Sequence, residues 1–427
     1  EELSSAVQVK GANERVDALT LLCRALLRAS SLCVVDGAVC YFDGRCYARI
    51  SLGDVRSTLG DLLIDSGAGP TDVRRMGDMP LSVITEKARE REDAVCLENG
   101  VYDFVSGEFR PGFDPSRVVT ELLPYAYDDG AGCPLFEHFL VEVMPDARER
   151  EAMLEFFSLA FVDRGKVSVE KMALFVGEGA NGKSVIFEVI KRVLGEDNVS
   201  TLDPAQLCDE KMLPYVKGKR LNFSPDIRKG ADFDSALKAL ASGQKVTARR
   251  IFSDAEQIVC PPIVFALNEM PVMRDTTPAF FRRLLLFPFE VQIPPDRQDK
   301  ALSDRICRTD LPGIFNLLVR ARERLCARGY EFAPSERMRA RLEALEADRR
   351  SDRYPVRAYL ASRGLSPFPS YPGQPFTLIT RGEIVLALQG CVSPTAVSRE
   401  MHRYGISTQR ERQQQTTYRV YEIQNKV

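Results

Sequence analysis

The sequence predicts an α/β fold: a core with a largely parallel sheet built round a phosphate-binding loop, a mixed α+β region before it, and a winged-helix-like tail after it. Three observations carry this. Between Lys171 and Phe289, strand-like apolar runs (MALFVG, RLNFS, IVFALN, LLLFPF) alternate with helical ones (KSVIFEVIKRVLG, DSALKALASG), the order of strands joined by crossover helices. Residues 177–184 read GEGANGKS, which fits G-x-x-x-x-G-K-[ST]. From Thr377 to Ile423 the pattern runs helix, helix, strand, polar turn, strand.

The chain has 427 residues, beyond the roughly 250–300 at which one hydrophobic core stops growing, so more than one domain is expected. The pattern changes put boundaries at 1–132, 133–300 and 301–427. With 44% hydrophobic and 28% charged residues, the composition is that of a soluble globular protein and excludes fibrous and disordered classes. No apolar run reaches the roughly 18–20 residues that span a bilayer, and Glu1-Glu2 does not open a signal peptide. No membrane partner is therefore expected. The chain starts on Glu1 rather than a methionine, and further sequence ahead of it is expected. Lysine and arginine number 58 against 60 acids, a net charge of −2, so a nucleic-acid site must be a local patch. Eleven cysteines with no C-x-x-C pair favour buried thiols in a reduced, cytoplasmic setting. With only His138 and His402, neither a zinc cluster nor histidine catalysis is expected.

Taken in order, residues 14–30 place Val16, Leu19, Leu22, Cys23, Leu26 and Leu27 at helical spacing. Leu32 to Ile50 reads as a three-stranded meander punctuated by Asp36-Gly37 and Asp43-Gly44, and VCLENGVYDFVSGEFRP repeats the device with Asn99-Gly100 and Ser106-Gly107. Cys133 to Phe161 is helical, with Phe136, Phe139, Leu140 and Val143 on one face. Residues 334–353 carry a stripe of Met338, Leu342 and Leu345 among many charges and read as a solvated amphipathic helix or linker.

The motif at 177–184 sits between the strand ALFV and a helix closed by Gly195. Gly177, Gly179 and Gly182 let backbone approach phosphate oxygens, with Glu178, Ala180 and Asn181 completing the loop. The helix opening at Lys183, Ser184 and Val185 points amides and the positive end of its dipole at the same place. Lys183 adds charge at the β and γ positions, and Ser184 is the expected Mg²⁺ ligand. ATP and Mg²⁺ are thus the expected ligands. An ATPase also needs a metal-linked carboxylate and a γ-phosphate sensor on neighbouring strands. Asp226, ending GKRLNFSPDI, suits the first role, including the metal, and Asn268, ending IVFALN, suits the second. Arg282 and Arg283, ahead of the strand LLLFPF, are candidates for reaching a neighbouring subunit's nucleotide, which implies a ring.

The order GEGANGKS, KRLNFSPDI, LKALASGQKVTARRIF, IVFALNEMP, FFRRLLLFPF resembles superfamily 3 helicases, specifically the primase-helicases of phages, plasmids and poxviruses. The resemblance implies an AAA+-like P-loop ATPase core and a hexameric ring that threads single-stranded or forked DNA. It implies Lys183 and Ser184 as the Walker A pair, Asp226 as the Walker B acid, Asn268 as the sensor and Arg283 as the arginine finger, with Arg282 second. Gln244 to Phe252 looks like the family's DNA-engaging hairpin, which makes Lys245, Arg249 and Arg250 phosphate contacts that track a backbone without reading bases. YFDGRCYARI, ENGVYDFVSGEFRP and CPLFEHFL look like the accessory domain that precedes such cores. A primase domain or a polymerase is an implied partner, with priming itself expected outside residues 1–427, and a bacterial host cytoplasm is the implied location. Two departures are visible: Asp226 stands where the family usually carries Glu, and Gln244 where it usually carries Asp.

Two other readings fit part of the sequence. An ATP-gated replication initiator or loader would bind an origin through the tail, whose Arg399, Arg403, Arg410 and Arg412 read equally as DNA contacts or as solvated charge. A phosphoryl-transfer enzyme on a small substrate would use the loop but leave Arg282, Arg283 and the basic hairpin unexplained.

Overall fold

A computed structural model describes residues 20–21, 23–24, 27, 31–35, 37–77, 88–227, 232–233, 236–249, 255–268, 270, 272–273, 277–353, 355–363, 365–366, 376–388, 393–403, 408–413 and 416–425. The chain is mixed α/β, and its centre is a parallel sheet, as the alternation of apolar strands and helices requires.

The amino-terminal region holds two small sheets. Strands β1 (Cys33–Val35), β2 (Ala38–Phe42) and β3 (Tyr47–Arg49) form the first expected meander. Gly37 takes φ +73° at its first turn, a conformation that favours glycine. After α1 (Leu52–Asp65), capped by Ser51, and α2 (Pro70–Gly77), the chain returns as β4 (Ala88–Arg89), parallel to β1. The second meander is β5 (Ala94–Leu97), β6 (Gly100–Asp103) and β7 (Glu108–Pro111). Of the helix expected at 14–30, only a few residues lie among the described ones, and Thr20, Leu21, Cys23, Arg24 and Leu27 are helical.

Helices α3 (Pro134–Val143) and α4 (Ala147–Ser158) lead into the sheet, and α3 buries Phe136, Phe139, Leu140 and Val143, the face the sequence marks. Then follow β8 (Met172–Val176), α5 (Lys183–Leu194), β9 (Val199–Ser200), α6 (Pro204–Leu207), β10 (Leu221–Ser224), β11 (Asp232–Phe233) and α7 (Ala236–Ala241). The hairpin β12 (Lys245–Arg249) and β13 (Ala255–Val259) precedes β14 (Ile263–Leu267), β15 (Val272–Met273), α8 (Pro278–Phe281) and β16 (Leu284–Pro288). The central sheet has order β16-β8-β14-β10-β9, with every neighbouring pair parallel. The first strand in sequence therefore lies inside the sheet, flanked by the last two, and the strand order reverses beside it. In open parallel sheets, ligands bind at such a switch point, outside the carboxyl ends of the strands.

Alternation along the strands builds a core on each face. Ala173 and Phe175 of β8, with Phe223 and Phe287, join one cluster that includes Phe156, Phe157 and Phe161, while Met172 and Leu174 join Phe265, Leu267 and Phe280 on the other. The second meander shares the first of these clusters. Phe104 stacks on Phe161 at 5.0 Å between ring centres, and Phe161 meets Phe315 edge-on at 5.5 Å. Such pairs add about 0.5–1.5 kcal/mol each beyond burial.

Helices α9 (Leu302–Thr309), α10 (Leu311–Ala327) and α11 (Glu336–Arg353) follow. Here the structure has the amphipathic helix of the two readings of 334–353, not the linker, and the helix is docked rather than solvated all round. Met338 is 1% exposed, Leu342 and Leu345 pack on the sheet's second core, and Arg337 pairs with Glu149 and Glu290. The stripe is a docking face held by ion pairs that its many charges disguise in the sequence. The tail contains α12 (Pro355–Ser362), β17 (Leu365–Ser366), β18 (Phe376–Thr380), α13 (Arg381–Ala387), α14 (Pro394–Arg403), β19 (Thr408–Gln413) and β20 (Thr416–Asn425). The two helices and closing antiparallel strands match the expected order, round a core of Val356, Leu360, Ile379, Ile384, Val397 and Met401. Among the described cysteines nearly all are buried, Cys208 being exposed. No helix among the described residues is long and apolar enough to cross a membrane.

Candidate active site

The loop between β8 and α5 stands at the carboxyl end of the innermost strands. Gly177 donates its backbone N–H to Leu267 at 3.1 Å, and Phe289 donates to Val176 at 2.7 Å, so the loop begins fastened to β14 and to the chain leaving β16. A Cβ on Gly177 would lie 2.0 Å from the Phe289 carbonyl oxygen. Ala180 and Gly182 take φ +60° and +86°, and a Cβ on Gly182 would lie 2.7 Å from Val143. Gly177 and Gly182 are therefore fixed by close approach. Gly179 faces open space within 4 Å, as a residue exposed to an incoming ligand would.

The loop positions its lysine before any ligand arrives. Lys183 is 7% exposed, and its ammonium donates to the Gly177 carbonyl and, at 3.1 Å, to Asn181 Oδ1. Asn181 is itself anchored, its amide donating to Phe289 O at 3.2 Å and to Glu178 O. Burial pulls the lysine's ionisation below the ordinary range, and the charge of Asp226 acts in the opposite direction. Asp226 stands just beyond the carboxyl end of β10, at the same edge of the parallel sheet as the loop. Asp226 and Ser184 are both exposed, so a hydroxyl and a carboxylate, the hard oxygen donors that suit Mg²⁺, are available together.

Asn268 follows β14 directly and is exposed. It borders a cavity of about 660 Å³ that also takes in Gly177, Glu178, Phe289 and Gln292, with Arg341 and Leu345 of α11 as its far wall. That is a volume suited to a small ligand the size of a nucleotide. Arg341 is held there by Glu290. The sequence reading missed α11 as a wall and Asn181 as the lysine's anchor. The Met338, Leu342, Leu345 stripe is the signal that could have found the first.

Arg282 and Arg283 lie at the other end of the sheet. Leu284 pairs with Met172 and Pro288 with Val176, so the arginines precede the amino-terminal end of β16. Over five paired residues the strands span roughly 16 Å, which no arginine side chain bridges. Neither can serve its own phosphate loop. The two arginines differ in their surroundings. Arg283 is 8% exposed and occupied internally: Nε donates to Ser242 Oγ at 3.0 Å, Nη1 to the Ala279 carbonyl, and Nη2 lies 2.8 Å from Glu170. Arg282, 65% exposed, makes one longer contact with Glu170 at 3.4 Å. Of the two, Arg282 is the more open to solvent.

The hairpin is present, with Lys245 opposite Val259 and Arg249 opposite Ala255. Lys245, Thr247 and Arg249 are exposed while Ala248 is buried, so the two basic residues share the outward face. Arg250 lies outside the described residues.

Comparison with known proteins agrees with this geometry. Residues 175–283, from the phosphate loop to Arg283, match a family described as one of unknown function (DUF5906), and residues 73–145 match the family described as D5 N terminal like. A protein of Acanthamoeba polyphaga mimivirus that carries the name "Putative helicase" is 27% identical over 220 residues, 47% of this chain and 22% of the relative. A protein of Invertebrate iridescent virus 6 with the same designation is 25% identical over 246 residues, 52% of this chain and 24% of the relative. The chain thus spans under a quarter of the length of the curated relatives it matches. Among solved structures, the apo NrS-1 C terminal region is similar over 94% of this chain and 98% of its own, with TM-score 0.56 and 12% identity. A second structure of that region, the A form, gives TM-score 0.51 at 13% identity with the same coverage.

The mixed α/β chain with its parallel sheet and glycine-shaped loop is consistent with the class of P-loop-like helicase cores. The D5 N terminal like match and the viral relatives named as putative helicases support a phage/poxvirus primase-helicase family for the chain.

Proposed function

We propose that the protein is an ATP-dependent DNA helicase with an AAA+-like, superfamily 3 core, working as a ring, a hexamer by family resemblance, on single-stranded and forked DNA. The observation that carries this reading is the division of labour between the two ends of the sheet. Lys183, Asp226 and Asn268 gather at the carboxyl end, and Arg282 stands exposed at the amino end, where only another subunit's nucleotide is within its reach.

Lys183, oriented by Asn181, binds the β and γ oxygens of ATP. The residues from Glu178 to Ser184, with Val185, supply backbone amides and the helix terminus, and Gly177 lets the chain turn closely into the loop. Ser184 and Asp226 would hold Mg²⁺, whose chemistry is to neutralise charge building on the phosphates. Asp226 and Asn268 orient the attacking water, and Arg282 of the adjacent subunit stabilises the transferring phosphoryl group. Lys245 and Arg249, with Arg250 beyond them, follow the DNA backbone from the hairpin. The helices and strands from 355 to 425 support a winged-helix-like domain, and residues 1–132 an accessory domain before a core at 133–300.

The test is ATP hydrolysis with and without single-stranded DNA, for the parent chain and Lys183→Ala side by side. DNA should raise the rate several-fold in the parent, and the variant should be silent. Hydrolysis indifferent to DNA would replace this reading with the initiator or small-substrate ones.

A further inference from the structure

A cleft of about 590 Å³ opens between the first meander and the amino-terminal edge of the parallel sheet, at the opposite end of the strands from the phosphate loop. Its walls come from the end of β3, from β4, from the loop before β8, from the approach to β10, and from Gln257 to Pro262, the return strand of the hairpin. Eight of its lining residues are basic and two acidic, in a chain whose net charge is −2.

Neighbouring carboxylates offset part of this charge: Glu121 meets Arg91 and Arg220, Glu256 meets Lys217, and Asp163 lies 3.6 Å from Lys166. Arg164 is 6% exposed, yet among the described residues no carboxylate pairs with it. Its guanidinium donates only to carbonyls, Cys260 O at 3.2 Å, Val169 O at 2.9 Å and Ala241 O, and its Nε has no acceptor. Arg220, also 6% exposed, shares Glu121 with Arg91, at 2.9 and 2.7 Å. Arg220 Nη2 faces Glu121 and Nη1 donates to Ala160 O at 3.4 Å, which leaves Nε without an acceptor. Arg89 donates to Tyr47 Oη at 2.9 Å and to the Pro115 and Ser116 carbonyls, Lys219 to the Asp197 carbonyl, and Arg49 to Lys217 O at 3.4 Å. A buried guanidinium without a counter-ion, as Arg164 is, is costly unless a ligand supplies one.

We propose that this cleft is a second phosphate-binding site, separate from the nucleotide loop, that holds the sugar–phosphate backbone of a single strand as it leaves the hairpin. Several guanidinium groups spread along an open groove match a repeating anion, whereas one carboxylate ligand would leave most of them uncompensated. The groove's wall is the hairpin's own return strand, so a backbone tracked by Lys245 and Arg249 reaches it without leaving the protein surface. Because this rests on the reading that the protein acts on DNA, the experiment separates the two.

Binding of a fluorescein-labelled oligothymidine is measured by anisotropy across a salt series, for the parent and for the double variant Arg49→Gln/Lys219→Gln, with thermal unfolding as the check on folding. Each phosphate contact on a single strand contributes about 0.7 to the slope of log K against log salt. Loss of two should make the slope shallower by about 1.4, with an unchanged unfolding midpoint. A variant that matches the parent in affinity and slope overturns the cleft assignment alone. A variant that loses binding of inorganic tripolyphosphate but keeps the parent's oligothymidine slope overturns the nucleic-acid assignment in favour of a small polyanion. A parent that binds no oligothymidine overturns both this proposal and the DNA reading beneath it.

Discussion

Arg282 and Arg283 are adjacent in sequence but have separable roles, and truncating each to alanine distinguishes them. Arg283→Ala removes two hydrogen bonds, to Ser242 Oγ and the Ala279 carbonyl, and a 2.8 Å ion pair with Glu170. Each neutral bond contributes about 1 kcal/mol net. Glu170 is 41% exposed, so the ion pair is worth at most about 1 kcal/mol rather than the larger cost of a stranded buried charge. Ser242 Oγ keeps its own bond to Lys238 O at 2.7 Å. The expected loss is about 3 kcal/mol, read as a lower urea midpoint at unchanged slope. Arg282→Ala, whose side chain is 65% exposed, should cost within about 0.5 kcal/mol. It should nonetheless lower ATP hydrolysis by about 10³-fold, as loss of an arginine finger does. Complementation gives the decisive assay. Arg282→Ala subunits keep an intact loop, and Lys183→Ala subunits keep an intact arginine, so mixing two inactive proteins should restore hydrolysis at hybrid interfaces. No recovery on mixing, or an Arg283→Ala protein as stable as the parent but inactive, would refute the assignment.

Two further expectations follow from the same geometry. Burial lowers the ionisation of Lys183 while Asp226 raises it, so the ammonium that binds phosphate is fully charged below that lowered value and lost as pH rises through it. Affinity for a fluorescent ATP analogue should therefore decline before the ordinary lysine value of about 10.4, and earlier still in Asp226→Asn. An affinity flat through that range would contradict the site's electrostatics. Met338→Ala should cost about 2–5 kcal/mol in chemical denaturation, the range for a fully buried side chain, whereas a solvated linker would register almost nothing.

What the sequence made legible was set locally, and what it concealed was set by distant partners. The phosphate loop could be read because glycines, lysine and serine must stand at fixed spacing for backbone to fold round a phosphate, and the structure adds only that Phe289 and Val143 enforce two of those glycines. The central strands could be read because strands buried on both faces must be continuously apolar. The choice between Arg282 and Arg283 could not, because it turns on Ser242, 41 residues away, and on Glu170, more than a hundred away. Charge misled in the same manner at 334–353, where Arg337 and Arg341 reach Glu149 and Glu290. Arg164 is the extreme case: nothing beside it in Asp163-Arg164-Gly165 distinguishes a buried, carboxylate-free guanidinium from surface charge. Only the convergence of the turn between β13 and β14, the end of α7 and the loop before β8 on its nitrogens does so. These hidden arginines share one location. Arg164, Arg220, Arg282 and Arg283 all lie at the amino-terminal edge of the sheet, while the motif residues lie at the carboxyl edge. A strand carries only a few residues between those edges, so β8 links the loop at one end to Lys171 and Glu170, the partner of both arginines, at the other. The five residues of β8 thus join the loop proposed to bind phosphate to the edge that, by the proposals above, faces a neighbouring subunit and the strand of DNA.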